Sequence, residues 1–288
     1  MSYPPCRYAR RWPELRHHHW AVRHPLLPRH CCALPCPEST RDGQRCHRVS
    51  RSLWFNVRID PHFRVSASAE VRSCGRVPSM ATTRVLALVN LKGGSAKTTS
   101  TAFLAHALHE RGRRVVVVDA DPQGSALRWH GMAGWPVPAL GLASTTLHRQ
   151  LWGVIDPDRW DTVVIDTPPL EDKYGIVSSV LRVATDVVVP MSPTMMELDR
   201  TGPVWKALED AAGSRDEDPT VRVLLTRTVA NASSTQETRE HLTEEGRDVL
   251  RGAIPRREVY GQAFASPVPL GDVPYGLVAD ELLAEWNA

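Results

Sequence analysis

Val85-Leu86-Ala87-Leu88-Val89-Asn90-Leu91-Lys92-Gly93-Gly94-Ser95-Ala96-Lys97-Thr98-Thr99 is the stretch on which the reading of this chain turns. It opens on an apolar run over 85–90, as a strand buried on both faces does, and closes on a helical pattern over 98–111. Between them lies a Gly-Gly pair with a lysine on each side. Where a strand gives way to a helix, the first amides of the helix have no intrahelical partner. The positive end of its dipole faces outward there, so an anion is favoured. Gly93 and Gly94 let the backbone turn and approach a ligand closely. Lys97 is then placed over the β and γ phosphates of a bound polyphosphate, and Thr98 offers its hydroxyl to Mg2+. The common phosphate-loop spacing G-x-x-x-x-G-K-[ST] is not met, because its two glycine positions hold Leu91 and Ala96. A second lysine, Lys92, stands five residues before Lys97 instead. Lysine is otherwise scarce: Lys173 and Lys206 are the only others in the chain.

Outward from this octet, short β-branched runs alternate with longer helical stretches. Strands are expected at 85–90, 114–119, 162–166, 186–190 and 221–226, with a short one near 253–254, and helices at 98–111, 175–184, 195–212 and 234–250. Gly112 stops the first helix, and 278–286 reads as a closing amphipathic helix. The stretches 131–138 and 213–219 are the linker-like ones. Continuously apolar runs such as 115–118 and 187–189 suit central strands. The alternation implies an α/β fold, a doubly wound and mostly parallel sheet with helices on both faces.

The first 79 residues are unlike the rest. They hold all six cysteines, seven of the twelve histidines, and fourteen arginines against five acids, a balance of +9, whereas residues 80–288 come to −6. Arg, His, Pro and Cys crowd out any sustained period, so residues 1–79 are expected to be a disordered or mis-annotated extension, with a wrongly chosen start ahead of Met80 the preferred explanation. A basic DNA-binding arm is the alternative. His30, Cys31, Cys32, Cys36, Cys46 and His47 match no paired zinc-ligand spacing. No apolar region of secretory or membrane-spanning length occurs, so the cytoplasm is the expected compartment.

Lys92-Gly93-Gly94-Ser95-Ala96-Lys97-Thr98-Thr99 resembles the deviant Walker A motif of the ParA/MinD class of P-loop ATPases. In that class an extra signature lysine reaches across a dimer interface to the partner's ATP. Carried over, it is Lys92, and the octet is the nucleotide-binding loop. Val118-Asp119-Ala120-Asp121-Pro122-Gln123-Gly124-Ser125 resembles the aspartate segment after the second strand, its DPQG string being nearer the ParA side. The resemblance implies that Asp121 helps activate the attacking water, with Asp119 nearer the Mg2+ shell. Val163-Val164-Ile165-Asp166-Thr167-Pro168-Pro169 resembles the Walker B segment, which presents Asp166 to the metal. If the three strands end side by side, Lys97, Asp121 and Asp166 share one carboxyl edge of the sheet. Ala96 departs from the usual glycine, and its methyl is tolerated if φ there is negative.

The resemblance covers nearly all of 84–288. Leu224-Leu225-Thr226-Arg227 is similar to the segment near the adenine in small plasmid partition ATPases such as ParF, which makes Arg227 a candidate nucleotide contact. The implied activity is slow, partner-stimulated ATP hydrolysis, with ATP and Mg2+ as cofactors. The implied partners are a second copy of the chain, nonspecific DNA of the nucleoid and a small ParB- or ParG-like adaptor, in the service of plasmid or chromosome segregation. Arg256 and Arg257, with Arg251 and Arg227, are the candidate DNA patch. Membrane attachment of the MinD kind is disfavoured by the acidic Asp280-Glu281-Leu282-Leu283-Ala284-Glu285-Trp286 end. A MinD-like positioning ATPase or an ATP-dependent metabolic synthetase of the same fold is the alternative.

Overall fold

Four consecutive valines, 115–118, have no polar face to turn to water, and such a run is stable only with cover above and below. The computed structural model describes residues 46–49, 53–56, 83–215, 217–269 and 271–287, and the chain divides into two units, Met1–Gly75 and Arg76–Ala288. In the first unit β1 (Cys46–Val49) and β2 (Leu53–Asn56) form an antiparallel pair. The remaining expectations for residues 1–79, disorder, a misplaced start, a basic arm or a metal site, lie outside the described residues.

The second unit is built on seven parallel strands: β3 (Arg84–Leu88), β4 (Val115–Asp119), β5 (Ala139–Gly141), β6 (Thr162–Asp166), β7 (Asp186–Met191), β8 (Thr220–Thr228) and β9 (Ile254–Pro255). Their spatial order is β5-β4-β6-β3-β7-β8-β9. Strand β3 therefore lies centrally, in register with β6 (Leu88 beside Asp166), and β6 is in register with β4 (Asp166 beside Asp119). Three strand ends come out side by side, as the sequence implied.

Side chains alternate across the pleat and make two cores. Val85, Ala87, Val116, Val118, Val163 and Ile165 face one way and meet α3 (Leu147–Val154), α4 (Tyr174–Leu181), α6 (Gly202–Ala212) and α7 (Ser234–Glu244). Leu86, Leu88, Val115, Val117 and Val164 face the other way, onto α1 (Lys97–Glu110), α2 (Ser125–Ala133) and α9 (Val273–Trp286). This is the doubly wound arrangement.

Five stretches differ from expectation. The helix expected over 195–212 is broken into α5 (Met195–Asp199) and α6, because Pro203 lacks an N–H and fits only a first turn. The helix expected over 234–250 stops at Glu244. Gly246 then takes φ +74°, and Val249 bridges to Val223 at the sheet. The expected linker over 131–138 is partly the end of α2. Edge strand β5 and helix α3 follow it, neither of which had been expected.

At the amino edge of the sheet, away from the loop, Asp186 is almost fully buried at the start of β7. Its Oδ1 lies 3.5 Å from Nη1 of buried Arg222 and accepts from the Trp286 indole at 2.9 Å, and Arg222 also pairs with Asp248 and Glu285. This cluster anchors the end of α9 to β7 and β8. Removing the guanidinium takes from buried Asp186 the nearer of its two cationic partners, Arg84 Nη1 at 3.9 Å being the other, so Arg222→Ala is expected to cost about 3 kcal/mol, the low end for a broken buried pair. Urea unfolding should show that cost as a lowered midpoint with an unchanged slope.

Candidate functional site

The site begins where β3 runs out. Asn90 donates through Nδ2 to the Pro190 carbonyl at 2.6 Å, fixing the exit of the strand against β7. The chain then turns through Leu91–Ala96 and enters α1 at Lys97. Two residues in the turn have positive φ, Gly94 at +74° and Ala96 at +68°. The second fails the condition, a negative φ, under which the Ala96 methyl would be tolerated without strain. Closing the loop onto the helix start requires a left-handed residue there, and Ala96 adopts it at the steric cost that glycine avoids. Among the described residues no backbone carbonyl accepts from the amides of residues 93–99, which leaves them available to an anion.

Lys97 lies almost fully buried beneath this loop. Its Nζ donates to the Lys92 carbonyl at 2.8 Å and to Ser95 Oγ at 3.4 Å, and Ser95 Oγ itself donates to the same carbonyl at 3.1 Å. Burial lowers its pKa, and the carboxylates of Asp166 and Asp121 oppose that fall. The Lys92 side chain is only half-buried and forms no salt bridge among the described residues. The two lysines of the octet thus occupy different positions, one inside the loop and one at its rim.

Facing Lys97 are the ends of β6 and β4. Asp166 is fully buried; Thr101 donates to its Oδ1 at 3.4 Å, and its Oδ2 has no hydrogen-bond partner among the described residues. Burial pushes its pKa up to about 7, and the neighbouring Asp119 adds to the rise, while the Thr98 hydroxyl and Lys97 oppose it. Asp119 is also buried and also raised. Its Oδ1 accepts the Asp121 amide at 3.1 Å and its Oδ2 the Leu127 amide at 2.9 Å, so in this structure it shapes the turn that carries Asp121. Asp121 is less enclosed, with Oδ1 accepting the Gln123 amide at 2.9 Å. The loop after β6 closes the arrangement, the amides of Leu170 and Glu171 donating to the Asn90 and Leu91 carbonyls at 3.2 and 3.1 Å.

An orphaned buried carboxylate oxygen beside a threonine hydroxyl, with a second carboxylate nearby, is an oxygen donor set of the kind Mg2+ takes. Lys97, Thr98, Asp119, Asp121 and Asp166 are therefore gathered at one edge, and the set fits a magnesium–polyphosphate ligand. The signal for Thr101 was weak: it lies four residues after Lys97 and so on the same helix face.

Beside the loop opens a cleft of about 950 Å3, lined among others by Ala96, Thr99, Thr226, Arg227, Pro255, Arg256, Arg257, Tyr260 and Tyr275. That volume lies within the range of small-molecule sites. Arg227 stands at its edge, and its guanidinium donates to the Gly94 carbonyl. Tyr260 donates to Asp272 Oδ2 at 3.0 Å, and the Tyr275 hydroxyl is 3.0 Å from that of Ser100, which ties the cleft wall to α9 and α1. Neither tyrosine was legible in sequence, because each meets the loop only through tertiary packing. The four arginines expected to form one basic patch are divided. Arg227, Arg256 and Arg257 line the cleft, whereas Arg251 is 95% exposed beside Glu281.

Residues 86–270 match the family model described as the CobQ/CobB/MinD/ParA nucleotide binding domain. The chain belongs to the CobQ/CobB/MinD/ParA nucleotide-binding family. Within this ATPase family it is 31% identical over 222 residues to maintenance of carboxysome distribution protein A of Gloeobacter kilaueensis, covering 73% of this chain and 99% of that one. It is 27% identical to the chromosome-partitioning ATPase Soj of Thermus thermophilus, covering 70% and 96% respectively. A crystal structure of cobyrinic acid a,c-diamide synthase from Mycobacterium smegmatis, with bound ADP and magnesium, superposes with a TM-score of 0.58 at 26% identity, covering 72% of this chain and 96% of that one.

Two outcomes follow from the geometry of the ligand-free protein. Between the ordinary carboxylate pKa and about 7, folded Asp166 keeps a proton that the unfolded chain has released, so stability falls as pH rises through that window. Asp166→Asn should flatten this slope in urea titrations across pH 5–8 and be more stable than the parent at pH 8. Ala96→Gly should raise the stability of the free protein by about 0.5–1 kcal/mol by relieving the positive φ, measurable as a higher Tm.

Proposed function

We propose that this chain is an ATP-driven switch that partitions or positions a large cargo, using DNA of the nucleoid as its matrix within the cytoplasm. ATP with Mg2+ occupies the 92–99 loop, its nucleoside entering the adjoining cleft. The observation that carries the reading is the pair of lysines at different depths: Lys97 turned in beneath the loop at the Lys92 carbonyl, and Lys92 held at the rim with its side chain unpaired among the described residues. An inner lysine serves the phosphates of its own subunit. A rim lysine with no internal partner is free to serve those of a second copy, and a dimer closed in this way exists only while ATP is bound.

The chain's own groups divide the work. The amides of 93–99 and Lys97 bind and orient the phosphates, since phosphoryl transfer needs positioning and charge neutralisation above all. When bound, Mg2+ would neutralise charge on the phosphate oxygens, and Thr98 and Asp166 would hold it, with Asp119 near its shell. Asp121, on the turn that Asp119 shapes, orients the attacking water and receives its proton. Leu170 and Glu171, hydrogen-bonded to the loop, couple its state to the segment after β6. ATP-gated dimers would double a weak surface for DNA, and a small ParB- or ParG-like adaptor would stimulate hydrolysis and release. The relatives named for carboxysome distribution and chromosome partitioning support a cargo-moving role. The likeness to a diamide synthase favours a second reading, ATP-dependent amidation of a small acceptor.

Light scattering and DNA retardation on the full chain with ATP, ADP or no nucleotide separate these readings. The switch requires dimers and DNA binding with ATP alone. Lys92→Ala should keep nucleotide binding and lose the dimers, whereas Lys97→Ala should lose the nucleotide. ATP-dependent dimers unchanged in Lys92→Ala would sink the cross-subunit role. Turnover that needs a small acceptor and ignores DNA would favour the synthetase.

A further inference from the structure

Strand β8 meets β9 through Thr226 beside Ile254 and Thr228 beside Pro255, so Arg227 is an extra residue inserted between two ladder positions. Such a bulge commonly puts glycine in the left-handed region, and Arg227 occupies that region with φ +55°. Its neighbours hold it there. Thr226 Oγ1 donates to the Met191 carbonyl at 3.3 Å, and the Thr228 carbonyl accepts the Arg256 amide at 2.8 Å. An arginine at this position bears a backbone cost that glycine would not, so the explanation for it lies in the side chain.

That side chain leaves the strand and donates through Nη2 to the carbonyl of Gly94, 133 residues away in the chain. Gly94 is exposed, has φ +74° and sits beside another glycine, so on that side the following peptide has no side chain to fix its orientation, while on the other side Ser95 is buried with its Oγ on the Lys92 carbonyl. The Gly94–Ser95 peptide is trans, and in a trans peptide the carbonyl and the following N–H point in opposite directions. Fixing the Gly94 carbonyl on Arg227 therefore fixes the direction of the Ser95 amide, one of those left for a phosphate.

We infer that Arg227 is a positioning residue of the phosphate loop, holding the Gly94–Ser95 peptide in its anion-binding orientation before nucleotide arrives. This rests on the nucleotide reading above and goes beyond the adenine contact expected for this arginine. The guanidinium acts through the loop backbone. A loop already held in its bound form loses less freedom on binding, so the effect appears in nucleotide affinity.

Arg227→Gly separates this role from a merely structural one, because glycine relaxes the bulge while removing the guanidinium. The variant and the parent, both as full chains, are compared in three measurements. The nucleotide-free variant is expected to unfold at the parent's temperature or above it. By calorimetry it should bind Mg·ADP about tenfold more weakly, the scale of one charge-assisted hydrogen bond. The Ser95 amide resonance of the nucleotide-free protein should move between the two. Equal affinity, an unmoved Ser95 resonance, or a loss of affinity accompanied by an equivalent loss of thermal stability would each overturn the assignment. If the parent itself bound no Mg·ADP, the nucleotide reading would fail, while the Ser95 resonance would still decide whether Arg227 holds the loop.

Discussion

Everything in the second unit is arranged around one unbalanced charge distribution at the carboxyl end of β3. A helix begins there with its amides unpaired, a lysine is buried beneath the turn, and two buried carboxylates face it from adjacent strands. In the ligand-free chain this is costly. Desolvation lowers the lysine pKa and raises that of Asp166 to about 7, so each charged form is disfavoured and neither is fully answered by the other. A polyphosphate with its metal supplies what the arrangement lacks, negative charge for the amides and lysine and positive charge for the carboxylates. Stability given up in the free protein reappears as affinity.

The sheet makes this possible by its order. Placing β6 between β3 and β4 lines up Leu88, Asp166 and Asp119 across the ladder, so the aspartates are presented by rigid strand ends. The opposite edge carries the counterpart, a buried Asp186–Arg222 pair with Trp286 closing over it, which clamps the end of α9. Helix α9 thus runs from the Tyr275 wall of the cleft to the far edge of the sheet, and with α1 and α2 it covers one face.

Much of this was legible in the residues. The apolar runs gave the central strands, and the octet's position between strand and helix gave the phosphate site. The order of the lysine-bearing octet and the two aspartate-bearing segments gave the edge where they meet. Local rules failed where tertiary contacts decide. Edge strand β5 has three residues, Ala139 and Leu140 half-buried on opposite faces and Gly141 exposed, too short for any period to show. The break between α5 and α6 was signalled by Pro203 and was overridden by the helical pattern on either side. Ala96 shows a different limit: a left-handed backbone under a methyl group is invisible in composition, because loop closure imposes it. The cleft walls, Tyr260 and Tyr275, are brought to the loop by α8 (Glu258–Gly261) and α9 from the far end of the chain, and nothing near the octet announces them.

The central claim is that the turn after β3 is an electrostatic receptacle for a magnesium polyphosphate. Phosphorus NMR of ATP titrated with the full chain tests it most directly, with and without Mg2+. The account requires the β and γ resonances to shift and broaden with saturable, magnesium-dependent behaviour, and inorganic triphosphate to compete. Phosphorus signals that stay at their free positions at millimolar protein, with magnesium present, would contradict it.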